Sequence, residues 1–299
     1  MITIFTIPKP FIDPHIKIIQ TNAIKSWLLL KPTPEIILYG DDQGVGEIAD
    51  ELKIRHISNV KKNQFGTPLL NDIFEKTQEI ANNEIICYVN CDIIFFQDVI
   101  ETIKIAKNLK KYLLLGQRWD YDQKEFLDFS NDWQKQLKER VIKNGSLHPP
   151  FGSDYFIFKK GLLKNMPEFA VGRLGWDNWF IEYFIKNRIK VINCTDSIFI
   201  IHQNHDYSHK KVTDRLSENL EDSNNLKNLE RIELPYSIDD VCYFIKNGKV
   251  VYKKTFKSLK NSLVRFLLKH KILFCIVRII NLPFKIIKNK FIKKERKKC

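Results

Sequence analysis

The sequence predicts a mixed α/β fold: a largely parallel sheet with helices on both faces. Three features point to it. Over the first 115 residues, short β-rich runs alternate with helical stretches, the pattern of strands joined by crossover helices. The run Ile85–Val89 (IICYV) has the composition of a strand buried on both faces. Polar residues follow the strand-like runs, Asp41 and Asp42 after one and Asn90 and Asp92 after another. Open sheets of this kind bind ligands at those strand ends.

The elements are predicted in order. Ile2–Ile7 is a β-rich run, ended by Pro8 and Pro10. Pro14–Leu30 has helical spacing, and Pro32 and Pro34 stop it. Glu35–Tyr39 (EIILY) is a strand, followed by the loop GDDQGVG and a helix over Glu47–Leu52. Arg55–Ile57 is a brief strand. Pro68–Ala81 is a helix with Leu69, Ile73 and Ile80 on one side. Ile85–Val89 is a strand, Val99–Leu109 a helix and Tyr112–Leu115 a strand. A polar, aromatic-spotted helical segment covers Asp120–Leu147. Beyond it lie strand-like runs at Tyr155–Phe158, Val191–Asn193 and Ser197–Ile201, and a helix starting near Trp176. Residues 210–235 are polar and Asn-rich, and read as surface helix and loop.

Charge divides the chain in two. The formal net charge is +14, and residues 253–299 contain sixteen Lys and Arg against one acid, Glu295, or +15. The other 252 residues therefore sum to 14 − 15 = −1. A nucleic-acid-binding body shows its own basic face, so no nucleic-acid partner is expected. The domain organisation read from this is a body over 1–252 and a basic amphipathic tail over 253–299. The six cysteines form no CxxC pair and no zinc spacing. They are expected to be structural thiols in a reducing compartment. The first residues, MITIFTIPKPFID, have neither a basic n-region nor a long apolar h-region, and are not read as a signal peptide.

Four segments carry candidate chemistry. In Tyr88–Phe96 (YVNCDIIFF), a strand end delivers Asn90 and Asp92, oxygen donors that suit a hard divalent cation; Asn and Asp are also ordinary turn formers there. In Gly172–Phe180 (GRLGWDNWF), Asp177 sits near a helix start between Trp176 and Trp179. It reads as a carboxylate beside aromatic faces at a sugar site, or as a helix cap with core tryptophans. In IHQNHDYSH, His202 follows an apolar run directly and is a candidate metal ligand. His205 and His209 read as surface or acceptor-side groups. In YGDDQG, Asp41 and Asp42 suit hydrogen bonds to a base or ribose, or a plain turn.

Together these segments resemble a known group. The series FTIPKPF, NAIKSWLLLKPTPEIILYGDD, FGTPLLNDIFE, CYVNCDIIF, GQRWD, HPPFGSDYFIF, GRLGWDNWF and IHQNHDYSH is similar, in order, to bacterial glycosyltransferase-like proteins of the GT-A fold, a Rossmann-like arrangement related to glycosyltransferase family 2. The resemblance covers about residues 1–210. It implies a transferase that moves a sugar from a nucleotide-diphospho-sugar to a hydroxyl acceptor. The Asn90-Cys-Asp92 motif looks like the Asp-x-Asp motif that holds Mn²⁺ or Mg²⁺ against the diphosphate, with Asn90 departing from it and Asp92 left as main ligand. His202 is similar in position to a late histidine of the metal shell. Asp177 resembles the general base of inverting members. Asp41 and Asp42 match the loop at the nucleotide base, and Pro8 lies in the strand-end loop near it. Asn71 reaches the same pocket, and Asp154, in GSDYF, touches donor or acceptor. A sugar-phosphate nucleotidyltransferase is disfavoured, because IFTIPKPFID lacks a Gly-rich, Arg-containing loop. A catalytically silent nucleotide-sugar-binding or membrane-associated protein with the same fold is the alternative.

The tail supplies the setting. Leu259, Leu263, Phe266 and Leu267 recur at helical spacing among Lys and Arg. Ile272–Ile287 is strongly apolar but holds Arg278, Pro283 and Lys285, short of the roughly 20 clean residues a span needs. A helix lying in the membrane interface is expected over 255–298. That places the protein in the cytoplasm, peripheral on an anionic inner membrane face, with a glycan or glycolipid acceptor.

Overall fold

The computed structural model describes residues 1–205, 212–230 and 233–269. The chain divides into two compact units, Met1–Lys253 and Lys254–Cys299. The first unit is built on a nine-stranded sheet. Its strands are β1 (Ile2–Thr6), β2 (Glu35–Tyr39), β3 (Arg55–Ile57), β4 (Ile85–Val89), β6 (Tyr112–Leu115), β9 (Tyr155–Lys159), β10 (Lys190–Asn193), β12 (Tyr243–Lys246) and β13 (Lys249–Tyr252). Their order is β13-β12-β10-β6-β9-β4-β1-β2-β3. Only β9 and β13 break the parallel arrangement. β9 lies antiparallel between β4 and β6, and β13 closes a hairpin on β12. This is the helix-flanked, mostly parallel α/β sheet that the sequence predicts.

Alternation along each strand divides two cores. Ile4, Leu38, Cys87, Leu114 and Ile157 face one side. Phe5, Tyr39, Tyr88, Leu115 and Phe158 face the other. The first side is covered by α1 (Pro14–Leu28), α2 (Val45–Leu52) and α4 (Asp98–Ala106), through residues such as Ala23, Trp27, Ile48 and Ile103. The second is covered by α3 (Leu70–Ile80) and α6 (Trp176–Lys186), through Leu70, Phe74, Phe180 and Phe184. Both faces are apolar, which is why the strands read as near-continuous hydrophobic runs. Helix α1 starts where Asp13 accepts hydrogen bonds from the backbone N–H of His15 and Ile16, with Pro14 in the first turn.

A second sheet, order β5-β11-β7-β8, sits beside the strand ends. It joins β5 (Ile93–Ile94), β7 (Trp119–Tyr121), β8 (Ser146–Leu147) and β11 (Ile201–Gln203), and α5 (Trp133–Asn144) shares its small core of Phe96, Leu137, Val141 and Ile201. The expected helical segment over Asp120–Leu147 is therefore two short strands and one helix, and the expected strand Ser197–Ile201 is a strand only from Ile201. Helix α7 (Val212–Lys227) follows. Cys87, Cys91 and Cys194 are buried thiols. The second unit is described through α8 (Phe256–Lys269), whose first turn is closed by reciprocal bonds between Thr255 and Ser258. No described helix is long and apolar enough to cross a membrane.

Phe74 touches Phe5, Tyr88, Phe158 and Phe180 at ring-centroid distances of 5.1–6.2 Å. Truncating a buried phenylalanine leaves a cavity as well as lost transfer energy. Phe74→Ala is expected to cost about 3–5 kcal/mol in urea unfolding. A loss under about 1 kcal/mol would mean that this face of the sheet is loosely packed.

Candidate active-site cleft

The cleft opens where β1, β2 and β4 end. It encloses about 530 Å³, within the size range of small-molecule sites. Pro8 and Lys9 line it from the loop after β1, Asp42 from the loop after β2, and Asn90, Cys91 and Asp92 from the turn after β4. His15 and Gln20 come from α1, Arg173 from the loop before α6, and His205 from the loop after β11.

Asp92 is the centre of a three-residue cluster. The chain turns after β4 with Ile93 N–H donating to the Asn90 carbonyl at 3.1 Å. That leaves Asp92 facing β11. His202 Nε2 lies 3.5 Å from Asp92 Oδ2, and His205 Nε2 lies 3.1 Å from the same oxygen. One ligand atom from each of the three falls within 4.8 Å of the others. The other carboxylate oxygen, Asp92 Oδ1, is buried and has no hydrogen-bond partner among the described residues. Two imidazoles, one carboxylate and an unused buried oxygen form a donor set that fits a divalent first-row ion. Burial pushes the Asp92 pKa up, but hydrogen bonds and charge from His202 and His205 outweigh it and hold the carboxyl well below its usual range. Burial lowers the His202 pKa, and the Asp92 carboxylate more than reverses this, so it ends raised. Each group stabilises the charged form of the other.

A buried amide pair fixes this cluster. Gln203, fully buried, donates from both its backbone N–H and its Nε2 to the Asp92 carbonyl, at 3.2 and 3.0 Å. Its Nε2 also reaches the Ile19 carbonyl at 2.7 Å, and its Oε1 accepts from Asn22 Nδ2 at 3.0 Å. Asn22 in turn accepts from Leu127 N–H and donates to the Glu125 carbonyl. One network thus ties α1, the turn after β4, β11 and the 122–127 loop together. Around the rim, Gln20 clamps the Lys9 backbone with two bonds of 2.6 and 2.9 Å. Lys9 Nζ lies 3.3 Å from His205 Nε2, and His15 Nε2 lies 3.1 Å from the Asn204 carbonyl. Arg173 Nε donates to the buried Glu221 of α7 at 2.7 Å. Lys9 brings an ammonium to a cleft that also holds Asp92, and Arg173 lines it while paired with Glu221.

Asp177 occupies a different setting. Gly175 caps α6 with φ +95°, a left-handed conformation that favours glycine. Asp177 then lies in the first turn, with Ser153 N–H 3.3 Å from its Oδ2. Burial raises its pKa to about 6, against nearby backbone N–H groups, and the Asp154 carboxylate adds to the rise. A carboxylate with a pKa near neutrality is poised to exchange a proton.

The structure sorts the sequence candidates. Pro8, Asp42, Asn90 and Asp92 line the cleft. His202 stands against Asp92. Asp41 is exposed and turned to Lys62 instead. Asn71 is buried in the first turn of α3 and is not a lining residue. Asp154 is buried beneath Asn90, bonded to Asn90 Nδ2 and to Arg118. Two expectations are corrected. Trp176 offers no free face to a sugar, because it packs edge-on against Tyr88 at 5.2 Å and against Phe156 at 5.0 Å. His205 is not a surface group: only 2% of its side chain is exposed, and it joins the Asp92 cluster. His209 lies outside the described residues. Lys9, Arg118, Asp120 and Arg173 were not singled out by the sequence reading. The signal for them was present only as quoted motif letters (PKPF, GQRWD and GRLG) with no spacing rule attached.

No protein-family model matches the sequence, and no curated protein matches it. Among solved structures the chain is similar to S. aureus TarS 1-349 in complex with UDP-GlcNAc, with 13% identity over 78% of this chain and 68% of that one and a TM-score of 0.46. The same protein in complex with UDP gives 13% identity, the same coverage and a TM-score of 0.44. Without ligand it gives 11% identity over 68% and 58% of the two chains and a TM-score of 0.40.

The Asn22–Gln203 network is testable by itself. Gln203→Leu removes three side-chain hydrogen bonds from buried partners, each with a net worth of about 0.5–1.5 kcal/mol. Urea unfolding should show a loss of that order or larger. The Asn22→Leu/Gln203→Leu double variant should lose less than the sum of the singles. Strict additivity would show that the two amides act separately.

Proposed function

We propose that this protein is a metal-dependent glycosyltransferase that moves a sugar from a nucleotide-diphospho-sugar to a hydroxyl acceptor. The observation that carries the reading is the cluster of Asp92, His202 and His205 at the parallel strand ends, in a cleft that also presents Lys9, His15 and Arg173. That combination suits a diphosphate bridged by a cation. Asp92, His202 and His205 would hold the ion, and imidazole nitrogens favour Mn²⁺ over Mg²⁺, which prefers an all-oxygen shell. Held there, a divalent ion would supply positive charge against the departing diphosphate. Lys9 and Arg173 add charge from the rim. Asp42 and Pro8, which line the cleft from the loops after β2 and β1, would meet the nucleoside end.

Asp177 supplies the base. It takes the proton of the acceptor hydroxyl as that oxygen bonds to the anomeric carbon and the bond from that carbon to the diphosphate oxygen breaks. One displacement inverts the anomeric centre, and the nucleoside diphosphate leaves. The raised pKa matches this role, because such a base accepts a proton near neutral pH.

The setting proposed is the cytoplasmic face of an anionic membrane, on a glycan or glycolipid acceptor, in cell-envelope polysaccharide or glycolipid synthesis. Support comes from the +15 charge of residues 253–299 and from α8, where Phe256, Leu259, Leu263 and Phe266 are exposed at helical spacing. Each basic residue near anionic lipid contributes about 1 kcal/mol.

Three measurements test these points. A thermal-shift panel of UDP-, GDP-, CMP- and dTDP-sugars with and without Mn²⁺ should give a metal-dependent shift with one nucleotide class, absent in Asp92→Ala; a ligand at 100 times its Kd stabilises by about 2.7 kcal/mol. No shift from any nucleotide on folded protein would favour a catalytically silent binding protein. For Asp177, the native carboxyl binds its proton more tightly than the unfolded value of 3.8. Its contribution to stability is therefore full below that value and is lost as pH rises through about 6. At pH 8, Asp177→Asn should stabilise by up to about 3 kcal/mol while lowering kcat by about 10²–10⁴-fold. Transfer by the native protein should fall as pH drops below about 6. An active Asp177→Asn protein contradicts the assignment. Finally, the full chain should co-sediment with anionic vesicles and a chain truncated at about Lys253 should not; equal binding by both would remove the tail from membrane attachment.

A further inference from the structure

Asn90 departs from an Asp-x-Asp motif, and the residues packed beneath it give a reason. Asn90 Nδ2 donates to Asp154 Oδ1 at 2.8 Å, and Asn90 N–H donates to the Asp154 carbonyl at 2.9 Å. Asp154 is 4% exposed. Both of its carboxylate oxygens lie 2.7 Å from Arg118 Nη1. Arg118 Nε donates to Asp120 Oδ1 at 2.9 Å, and that same oxygen lies 3.6 Å from His202 Nδ1. Asp120 also receives His148 Nδ1 at 2.7 Å. A hydrogen-bonded chain thus runs from Asn90 through Asp154 and Arg118 to Asp120, which approaches His202 to 3.6 Å.

We infer that Asp154 carries the carboxylate charge that an Asp-x-Asp motif places at its first position, and that with Arg118 it is a positioning residue requiring a neutral amide at Asn90. An amide donates to Asp154 there, which an ionised aspartate could not. With its nitrogen committed to Asp154, Asn90, which lines the cleft, keeps a neutral carbonyl oxygen that suits a hard cation or a sugar hydroxyl. An aspartate at this position would set two carboxylates within hydrogen-bonding distance, with one guanidinium already shared between Asp154 and Asp120. Like charges that close do not both ionise. On this account Asn90 is part of a working site whose second acid lies one layer deeper, not a damaged motif. At the other end, His202 Nδ1 lies 3.4 Å from Asn204 Oδ1, and the Asp120 carboxylate stands 3.6 Å away as a neighbouring charge.

The inference deepens the metal reading above, and its test separates the two. Wild type, Asn90→Asp, Asp154→Asn and the Asn90→Asp/Asp154→Asn exchange are compared by melting temperature in EDTA at pH 8 and by Mn²⁺ affinity from electron paramagnetic resonance. Asn90→Asp should melt roughly 5–10 °C lower, consistent with a buried like-charge pair. It should not bind Mn²⁺ more tightly than wild type. Asp154→Asn should weaken Mn²⁺ about 10–100-fold, the usual effect of losing an outer-shell partner. The exchange variant, which restores one amide and one acid, should recover most of both losses. Asn90→Ser, which adds no charge, should melt within a few degrees of wild type and still weaken Mn²⁺, so a folded protein remains to be measured if the charged variants aggregate. The inference is overturned if Asn90→Asp alone keeps its melting temperature and gains Mn²⁺ affinity, or if the exchange variant is no better than the worse single. If wild type binds no Mn²⁺, the metal reading fails, and the melting-temperature comparison still decides whether Asn90 and Asp154 are coupled.

Discussion

The register of β11 against the turn after β4 is the constraint on which the cleft depends. It is set by Gln203, whose backbone and side chain both donate to the Asp92 carbonyl. One residue of slip in a strand reverses the side on which each side chain points. Here it would carry His202 away from Asp92 and remove the cluster. A fully buried amide pair is an expensive way to hold a register unless every donor and acceptor is met. Asn22 and Gln203 bond to the backbone of α1, the Asp92 turn and the 122–127 loop, so the segments that line or back the cleft are locked in one step.

Two carboxylates are driven in opposite directions, Asp92 in the cleft lining and Asp177 outside it. Asp92 is buried yet ionised, because two imidazoles face it. Asp177 is held near neutrality by burial, with only backbone N–H groups to oppose it and the Asp154 charge adding to the rise. Pairs of acids pushed apart by their surroundings mark sites where one holds charge and the other moves a proton. Arg118 sits between the two regimes, joining Asp154 to Asp120, which approaches His202 to 3.6 Å.

Much of this was legible in the sequence. β2, β4 and β6 fall where their apolar composition placed them, because such runs bounded by turns have few other uses in a chain of this kind. Asn90, Asp92 and Asp177 stood out because they follow apolar runs or open a helix. Other features had no local signal. β9 is as apolar as its neighbours, and nothing in YFIFK says that it enters the sheet antiparallel between β4 and β6. His205 reads as loop, and its burial comes from Asp92 and Lys9, 113 and 196 residues away. Trp176 reads equally as a sugar platform or as core, and only the packing of Tyr88 and Phe156 decides it. One signal was present and passed over: Asn247-Gly248 between two apolar runs is the dipeptide of a tight hairpin, and both residues have positive φ in the β12–β13 turn.

The account turns on whether Asp92, His202 and His205 act together on a cation that meets a nucleoside diphosphate. The most direct measurement is pulsed electron paramagnetic resonance of Mn²⁺ on the full chain with and without a nucleoside diphosphate. The predicted result is one bound ion with couplings from imidazole nitrogen and, when the nucleotide is present, from phosphorus, with the nitrogen couplings reduced in His205→Ala. Tight binding of the nucleotide with no imidazole-coupled manganese would contradict it and place the diphosphate on the cations of the cleft instead.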